Sequence, residues 1–461
     1  MLQDQELSRI IKNKYIAPLH RTRSDLVGVE FELPVVHFGG QPVSRDLMQA
    51  LVEAFIQRFH FDRYARDDAG RIYTAQNIES ADDLSFDCSF NTLELSLGCL
   101  SDLNVIDRRF QAYYRFIQDF LLPYDHTLTG CGINPNYRVN ENVPVEKGRY
   151  RMQYHHLSSY PDHPEKKCHN YPNFGMFSCA SQVQLDVDED NVLLALNTLA
   201  KLEPLNSLLF ANSYFEDDNV SLLCSRDYFW RESMQGYNPH NLDMYETELG
   251  SLNEIISYIA TESMYCLERD GKYINFSPMT LHDYFSSEAV EGEYWDGSGY
   301  RTIQFRPEPE DIKYHRSYKF EDLTFRGTLE LRSVCEQPVA DIMSVSAYFA
   351  GLMECLPELK GLLDADTTLY GNGYNATELR RIVNVEGVPE FADPAGVQRL
   401  LLSVLDLAES GLHRRGYHEE HFLKPLYSRA EALKNPAQVM REKLSRGESA
   451  DDIARDFAKM E

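Results

Sequence analysis

The sequence predicts an α+β protein, and three observations support this class. Four stretches alternate apolar and polar residues with the period of two that is typical of β-strands. Longer stretches show the spacing of amphipathic helices, and most of these follow residue 338. The 461 residues are 43% hydrophobic and 25% charged, a globular composition, and no Pro/Gly/Ser-rich linker interrupts them. We therefore predict one domain over 1–461, of which 339–461 is a mainly helical C-terminal part.

The first alternating stretch, residues 26–36 (LVGVEFELPVV), places two carboxylates on one face of a strand. Successive side chains of a strand point to opposite faces. The apolar residues at odd positions from Val27 to Leu33 therefore form one face, and Glu30 and Glu32 lie side by side on the other. The sequence predicts that this strand buries its apolar face and presents both carboxylates together.

Three later stretches repeat this pattern. They are residues 92–97 (TLELSL), 179–187 (CASQVQLDV) and 328–333 (TLELRS). If all four strands share one sheet, its polar face carries at least Glu30, Glu32, Glu94 and Glu330, and Arg332 is the only cation in the four stretches. Gln182, Gln184 and Asp186 face the same way within their own strand.

Converging carboxylates repel one another, raise one another's pKa or bind cations. A polar face that simply meets water is the alternative for any one strand. An exposed face usually mixes lysine with its acids, however, and none of the four stretches contains a lysine. An all-oxygen ligand set without a His or Cys cluster suits Mg²⁺ or Mn²⁺ better than zinc. Together the four strands favour a metal site on the polar face.

The other elements follow from helical spacing, N-caps and helix-ending prolines. Helices are predicted over residues 1–20, 44–60, 104–122, 191–210, 338–356, 377–383, 394–411, 419–433 and 436–461. One further strand is predicted over residues 301–306 (RTIQFR), with Ile303 and Phe305 facing inward. Residues 130–173 are rich in Pro, Asn, Tyr and His, and they are predicted to be irregular.

The irregular segment contains a group of potential zinc ligands, which are His155, His156, His163, Cys168 and His169. A structural zinc site requires two matched pairs at short spacings such as C-x2-C or H-x3-H. No such set of pairs is present in this segment. We therefore predict a binding loop rather than a zinc site.

Charge and composition exclude several classes of protein. The formal net charge of −27, from 45 Lys and Arg against 72 Asp and Glu, argues against a nucleic-acid partner and against an anionic membrane surface. The N-terminal residues lack the apolar core of a signal peptide, and no apolar run approaches the length of a membrane span. Nine cysteines at irregular spacing indicate reduced thiols. We expect a cytoplasmic protein with small-molecule substrates.

No phosphate-binding glycine motif is present in the sequence. Neither G-x-x-x-x-G-K-[ST] nor a G-x-G-x-x-G that follows a strand and opens a helix occurs. If the protein binds a nucleotide, metal ions rather than a glycine-rich loop must hold the phosphates.

Five motifs in order resemble those of the glutamate-cysteine ligase family, within the glutamine synthetase-like carboxylate-amine ligases. They are GVEFE at 28–32, Asp87 followed by LE at 93–94, GRYRM at 148–152, SQVQLD at 181–186 and LELRSVCEQP at 329–338. Their order and spacing extend over most of the chain from Gly28 to Pro338. The helical segment with HFLKPL and NPAQ is also similar to the family.

The resemblance implies a curved antiparallel sheet that forms a funnel-shaped active site, with helices outside. It also implies an ATP-dependent, ADP-forming ligase that joins the γ-carboxylate of glutamate to the amine of cysteine through a γ-glutamyl phosphate. Mg²⁺ or Mn²⁺ would be the metal, and the implied ligands are Glu30, Glu32, Asp87, Glu94, Gln184 and Glu330. Glu330 and Arg332 are the implied catalytic residues, and the substrate-binding candidates are Arg149, Arg226 and Arg231.

Two positions depart from the family pattern. Cys335 stands where the family has Asp, and Gln184 stands where members carry Asn or His. Either change could alter the amine substrate or the geometry of one metal, so the resemblance leaves the amine open. The alternatives are a related ligase with another amine or carboxylate, and an inactive regulator that binds nucleotide or metal.

Overall fold

The computed structural model describes residues 4–217 and 219–460. Of the predicted helices, the first includes residues 1–3 and the last includes residue 461, and these positions lie outside the described residues. The helices are α1 (Asp4–Ile11), α2 (Arg45–Phe59), α3 (Leu103–Leu121), α4 (Gly148–Ser158), α5 (Val192–Phe210), α6 (Ser225–Arg231), α7 (Leu252–Thr261), α8 (Leu281–Ser286), α9 (Met343–Met353), α10 (Leu356–Ala365), α11 (Ala376–Glu386), α12 (Pro394–Arg415), α13 (Lys424–Ala432), α14 (Pro436–Ser445) and α15 (Ala450–Phe457).

The strands fall into two larger antiparallel sheets and two short pairs. The strands are β1 (Val27–His37), β2 (Arg63–Arg66), β3 (Ile72–Gln76), β4 (Asp83–Phe86), β5 (Thr92–Leu100), β6 (His126–Leu128), β7 (Ser181–Asp186), β8 (Phe215–Glu216), β9 (Ser221–Leu222), β10 (Leu242–Asp243), β11 (Ser263–Arg269), β12 (Lys272–Thr280), β13 (Val290–Trp295), β14 (Tyr300–Phe305), β15 (Tyr318–Lys319), β16 (Glu321–Leu323) and β17 (Thr328–Leu331).

The main sheet contains all four of the alternating stretches. Its strands run in the order β16-β17-β7-β1-β5-β4-β3-β2, and β6 pairs with the end of β1. Every pair in it is antiparallel. Local alternation therefore predicted the strands, and the prediction that they share one sheet is confirmed.

The apolar face of the main sheet forms part of the largest cluster of buried hydrophobic residues. Val29, Phe31, Leu95, Leu185 and Leu329 are all buried in one cluster that extends from Leu7 to Ala430. Helices α3 and α9 contact this sheet, and α12 packs on α9. The predicted α+β class, with an antiparallel sheet and helices packed outside it, is confirmed.

Helices α9 and α12 approach each other unusually closely, and two glycines allow it. A Cβ atom on Gly351 would lie 2.1 Å from the carbonyl oxygen of Ala408, and one on Gly411 would lie 1.8 Å from the carbonyl oxygen of Gly351. These distances exclude any side chain at either position. The C-terminal helices are thereby fixed against the helix that packs on the sheet.

The second larger sheet, with the order β11-β12-β13-β14, was only partly predicted. The predicted strand over 301–306 corresponds to β14, but β11, β12 and β13 had no clear alternation in the sequence. The segment predicted to be irregular contains helix α4, whose long, mixed polar and aromatic sequence gives no apolar stripe. The prediction of an irregular segment was therefore wrong for Gly148–Ser158, whereas most of the remaining residues of 130–173 form turns and irregular structure.

Within the described residues, no single helix is long and apolar enough to cross a membrane. In the part of the chain that the structure describes, one helix pair, Val339–Met353 with Leu356–Ala365, satisfies length and composition, and this pair is bent by 92°.

Candidate active site

A cavity of about 760 Å³ lies between the polar face of the main sheet and strand β11. Glu30, Glu32, Glu94 and Glu330 line it, and so do residues 263–268. The four glutamates predicted from alternation therefore reach one space. Asp87, which directly follows β4, also lines this cavity.

The register of the sheet brings three carboxylates together. Glu32 is paired with Glu94 across β1 and β5, and Glu94 is paired with Ser85 across β5 and β4. Directly paired residues of antiparallel strands place their side chains on the same face. One carboxylate oxygen each of Glu32, Asp87 and Glu94 lies within 4.8 Å of the others.

Burial raises the pKa of each member of this group of three carboxylates, and neighbouring carboxylates raise the pKa of Glu32 and Glu94 further. Burial, followed by the charge of Asp87, raises the pKa of Glu32 to about 8. Burial, followed by the charges of Glu30 and Asp87, holds the pKa of Glu94 well above its usual range. Burial also raises the pKa of Asp87, although the nearby Arg149 opposes the shift. The group therefore requires bound protons or a cation to neutralise it.

The side-chain oxygen atoms at this group of carboxylates suit a hard divalent cation. Gln182 donates from Nε2 to Oε1 of Glu32 at 2.7 Å, and the amide of Ala180 donates to its Oε2 at 2.7 Å. The buried Oε1 of Gln182 has no hydrogen-bond partner among the described residues. The three carboxylates form an all-oxygen set, which Mg²⁺ and Mn²⁺ prefer, and the amide oxygen of Gln182, another cavity residue, is a further candidate ligand. Gln182 was not predicted as a ligand, although alternation had placed it on the polar face.

A second set of charges lies further along the same face. Burial, followed by the charge of Glu330, raises the pKa of Glu30 to about 7. Arg332 donates to Oε1 of Glu330 at 2.7 Å, and a nitrogen of Arg326 lies 3.4 Å from its Oε2. Arg332 also lies 3.8 Å from the Asp322 carboxylate. This part of the face is an ion-pair network, whereas the group of three carboxylates is an acidic cluster.

Gln184 is occupied by its neighbours. Its Nε2 donates to Glu30 at 2.9 Å, and its Oε1 accepts from Arg326 at 2.7 Å. The amide of Gln184 therefore links Glu30 to Arg326 within the ion-pair network. Its proposed role as a metal ligand stays a prediction.

Asp322 is a cavity residue that was not predicted from the sequence. It lies in the three-residue strand β16, directly opposite Glu330, and it lines the cavity. Burial raises its pKa to about 6 even though Arg332 opposes the shift. A strand of three residues is too short to show alternation, so no local signal could have identified it.

The structure separates the three candidate substrate-binding arginines. Arg149, from helix α4, and Arg226, from helix α6, line the cavity. Arg231 is not among the described cavity residues and lies 3.5 Å from Glu232. Arg226 and Arg231 are separated by about 1.4 helical turns, so their side chains leave α6 in different directions. The geometry supports a substrate role for Arg149 and Arg226 and gives none to Arg231.

Cys335 lies outside the cavity lining. Its Sγ is 3.7 Å from the Sγ of Cys224 and 3.3 Å from the hydroxyl of Ser213, and all nine cysteines are free. The departure at this position therefore changes a buried contact behind the cavity. It leaves the carboxylates on the polar face in place.

The model of glutamate-cysteine ligase family 2 matches residues 26–457. The chain belongs to this family. The motifs that resemble the family contain Glu30, Glu32, Glu94 and Glu330, which line the acidic cavity.

Individual relatives are distant. The chain is 24% identical over 306 residues to glutamate-cysteine ligase A, chloroplastic, of Oryza sativa subsp. indica, a match that covers 64% of this chain and 56% of that protein. It is 23% identical over 432 residues to glutamate-cysteine ligase, chloroplastic, of Medicago truncatula, covering 90% of this chain and 78% of that protein. The match thus spans little more than half the length of the rice relative.

Among solved structures, the chain is similar to glutamate-cysteine ligase of Francisella tularensis in complex with AMP. The TM-score is 0.48 at 12% sequence identity, and the match covers 94% of this chain and 88% of that chain.

Proposed function

We propose that the protein is an ATP-dependent ligase that joins the γ-carboxylate of glutamate to the amine of cysteine through a γ-glutamyl phosphate. This reaction would be the first step of a glutathione-type thiol synthesis, carried out in the cytoplasm on small molecules, with no nucleic-acid or membrane partner. The observation that carries the proposal is the group of buried Glu32 with half-buried Asp87 and Glu94 in a cavity that is also lined by arginines. Membership of the glutamate-cysteine ligase family supports the choice of substrates.

The acidic cluster would hold Mg²⁺ or Mn²⁺ through Glu32, Asp87 and Glu94, and Glu30 and Glu330 are candidates for a further ion. Bound there, the metal would neutralise the ATP phosphates and polarise the transferred phosphoryl group. The raised pKa values of Glu30 and Glu32 support this role, because a cation would replace the protons that the two carboxyls otherwise retain.

The arginines would position the other charged groups. A carboxylate oxygen of glutamate would attack the γ-phosphorus of ATP, with ADP as the leaving group, and the amine would then displace phosphate from the acyl carbon. Arg332, oriented by its 2.7 Å bond to Glu330, would stabilise the transferring phosphoryl group. Arg149 and Arg226 would bind the α-carboxylate of glutamate.

The deciding experiment is an assay of Mg²⁺-dependent ADP formation with glutamate and each amino acid as the amine, with products identified by mass. We expect turnover with cysteine and a γ-glutamylcysteine product. Turnover with another amine only would overturn cysteine as substrate and retain the ligase. No turnover with any amine would overturn the ligase and favour an inactive regulator or another carboxylate.

Arg332→Lys is the variant that tests the proposed phosphoryl contact. It should lower kcat with little change in KM for the amine, since lysine lacks the planar fork of guanidinium. Arg269→Lys is a matched control, because Arg269 is also 22% exposed, pairs with Asp311 at 2.7 Å and lies outside the cavity lining. A change confined to the KM for the amine in Arg332→Lys would contradict the proposed role.

A further inference from the structure

Arg380, on helix α11 in the C-terminal part of the chain, is a buried arginine at the junction of three other elements. Its Nε and Nη2 donate to the two carboxylate oxygens of Asp227 on α6, at 2.6 Å and 3.1 Å. Its Nη1 donates to the carbonyl oxygen of Glu203 on α5 at 3.0 Å and also contacts the Glu203 carboxylate. Its Nη2 donates to the carbonyl oxygen of Ser333 at 3.2 Å.

These contacts reach the residues immediately beside two arginines of the cavity. Asp227 follows Arg226 on helix α6, and Ser333 follows Arg332 just after the end of β17. Arg226 itself donates from Nη1 to the carbonyl oxygen of Arg332. The carbonyl oxygen of Arg332 thus accepts from Arg226, and the next carbonyl oxygen, of Ser333, accepts from Arg380. Arg380 also binds Asp227 on α6, the helix that carries Arg226.

The network around Arg380 is closed on the side away from the cavity. Asn384 donates to the Asp227 carboxylate at 2.6 Å, while Asn206 and the Ser333 hydroxyl donate to Glu203 at 2.7 Å and 2.9 Å. Arg380 is 2% exposed, and it is not a cavity-lining residue. It therefore cannot touch substrate, and any effect on the reaction must pass through its neighbours.

Stability alone does not require such a network. Well-packed hydrophobic residues of similar volume often stabilise a fold as well as a buried ionic group does, because the charges lose their hydration on burial. A bidentate guanidinium group, by contrast, fixes both distance and direction between the elements that it joins. The distinctive property of this contact is therefore geometric.

We propose that Arg380 is a positioning residue that sets the placement of Arg226 and Arg332 in the cavity through Asp227 and the Ser333 carbonyl. As far as turnover is concerned, this inference rests on the proposed ligase function. The placement itself does not, because it concerns two side chains that the structure locates independently of any reaction.

The first test compares Arg380→Lys with Arg429→Lys. Arg429 is a matched control, since it is also buried in the C-terminal part, where it donates to the Leu209 carbonyl at 3.0 Å and to Gln337 at 2.7 Å, and it contacts neither α6 nor the end of β17. Well below the melting temperature, we expect Arg380→Lys to lose kcat on the order of a hundredfold, the effect of a misplacement of about 1 Å. Arg429→Lys should retain kcat. Equal kcat losses in both variants would overturn the proposal.

The second test asks whether Arg380 acts through Arg226. In an Arg226→Lys background, Arg380→Lys should cost much less kcat than it does in the wild-type protein, because the group to be positioned is already lost. Arg429→Lys should show no such coupling. Full additivity of the Arg380→Lys and Arg226→Lys losses would contradict positioning through Arg226.

The third test needs no enzymatic activity. The chain has two tryptophans, and Trp295→Phe leaves Trp230, whose ring lies 5.8 Å from the Arg226 guanidinium carbon, as the single emitter. In that background, Arg380→Lys should shift the Trp230 emission in the same direction as Arg226→Lys does, and Arg429→Lys should not shift it. An unchanged spectrum would overturn the inference, whereas a shifted spectrum in a protein without ligase activity would overturn only the proposed function.

A milder variant keeps the proposal testable if Arg380→Lys does not fold. Asn384→Ala removes the 2.6 Å bond to the Asp227 carboxylate and leaves Arg380 in place. It should change kcat and Trp230 emission in the same direction by a smaller amount. Absence of both effects in a folded Asn384→Ala protein would count against the proposal.

Discussion

At the scale of the residue, Glu94 is the member of the acidic cluster whose negative charge is least balanced by nearby positive charges. Its largest electrostatic neighbours are Glu30, Asp87 and Glu32, and the hydroxyl of Ser96 donates to it at 2.6 Å. A half-buried carboxylate surrounded by other carboxylates destabilises the metal-free protein, because its charged form is disfavoured. The same charge would favour a bound cation.

Glu94→Gln should therefore stabilise the metal-free protein and weaken its response to Mg²⁺. We expect a higher melting temperature without metal, because burial and the neighbouring carboxylates hold the pKa of Glu94 well above its usual range and glutamine carries no charge. Thermal unfolding in chelator and in increasing Mg²⁺ measures both effects. Stabilisation by Mg²⁺ should decrease in the variant, and ligase turnover should be lost.

Glu419→Gln is the matched control for this prediction. Glu419 is fully buried and, unlike Glu94, has a compensating charge, because Arg415 lies 3.0 Å away. Neutralising it should destabilise the protein equally with and without Mg²⁺, because it leaves a buried arginine unpaired. A lower melting temperature of Glu94→Gln in chelator would show that the acidic cluster is not a site of uncompensated charge.

At the scale of the element, helix α4 shows how a segment without a helical signal contributes to the cavity. It carries Arg149 into the cavity and packs against β12, where Asn275 donates to the Met152 carbonyl at 2.9 Å. At its first residue, a Cβ on Gly148 would lie 2.2 Å from Cδ2 of Tyr273, so only glycine allows this approach. The helix is stabilised by tertiary contacts rather than by its own sequence.

The ring of His156 on α4 lies on strand β11 and makes the stability of this contact dependent on pH. It stacks on Tyr265 with 3.7 Å between ring centroids, and burial lowers its pKa from 6.5 to about 3. Between these values the unfolded chain binds a proton that the native protein does not. The stability that neutral His156 contributes is therefore complete above pH 6.5. As the pH falls below this value, the free energy of unfolding decreases by about 1.4 kcal/mol per pH unit.

His156→Phe should remove this dependence while it preserves the stacked ring. When the pH is lowered from 7.5 to 5.5, we expect the free energy of unfolding of the wild-type protein to decrease more than that of His156→Phe. The change should be about 1.4 kcal/mol, because pH 5.5 lies about one unit below the pKa of the unfolded chain. Urea unfolding at the two pH values measures this change. A constant difference between the two proteins would show that His156 does not titrate on unfolding.

At the scale of the whole molecule, the C-terminal helices and the sheet share one core. The buried cluster extends from Leu7 to Ala430, and every residue of α9 is buried. Hydrophobic residues on both sides of residue 338 thus stabilise each other. This continuity supports the expectation of a single catalytic domain over 1–461 with a helical part at 339–461.

A fragment that ends at residue 338 should therefore not fold. Its loss of α9 would expose the apolar face of the main sheet, and loss of α11 would remove Arg380 from its contacts with Asp227 and Ser333. Near-UV circular dichroism of residues 1–338 should lack the native aromatic signal. The full chain should unfold in one transition, and a folded fragment or two separate transitions would contradict a single domain.

The sequence alone determined which side chains of each strand lie on the polar face of the sheet and which lie on the apolar face. Strict alternation placed Glu30, Glu32, Glu94 and Glu330 opposite buried apolar residues, because the period of a strand is fixed by its backbone geometry. Ordered motifs determined the family in the same way, through residues close together in the chain.

Only the tertiary structure decided which of these groups meet. The register of β1, β5 and β4 joined Glu32, Asp87 and Glu94 and left Glu330 in an ion-pair network with Arg332. The fold also brought in Asp322, directed Arg231 away from the cavity and placed Arg380 behind it. Register, helix packing and burial depend on contacts between residues far apart in the chain, and no local pattern records them.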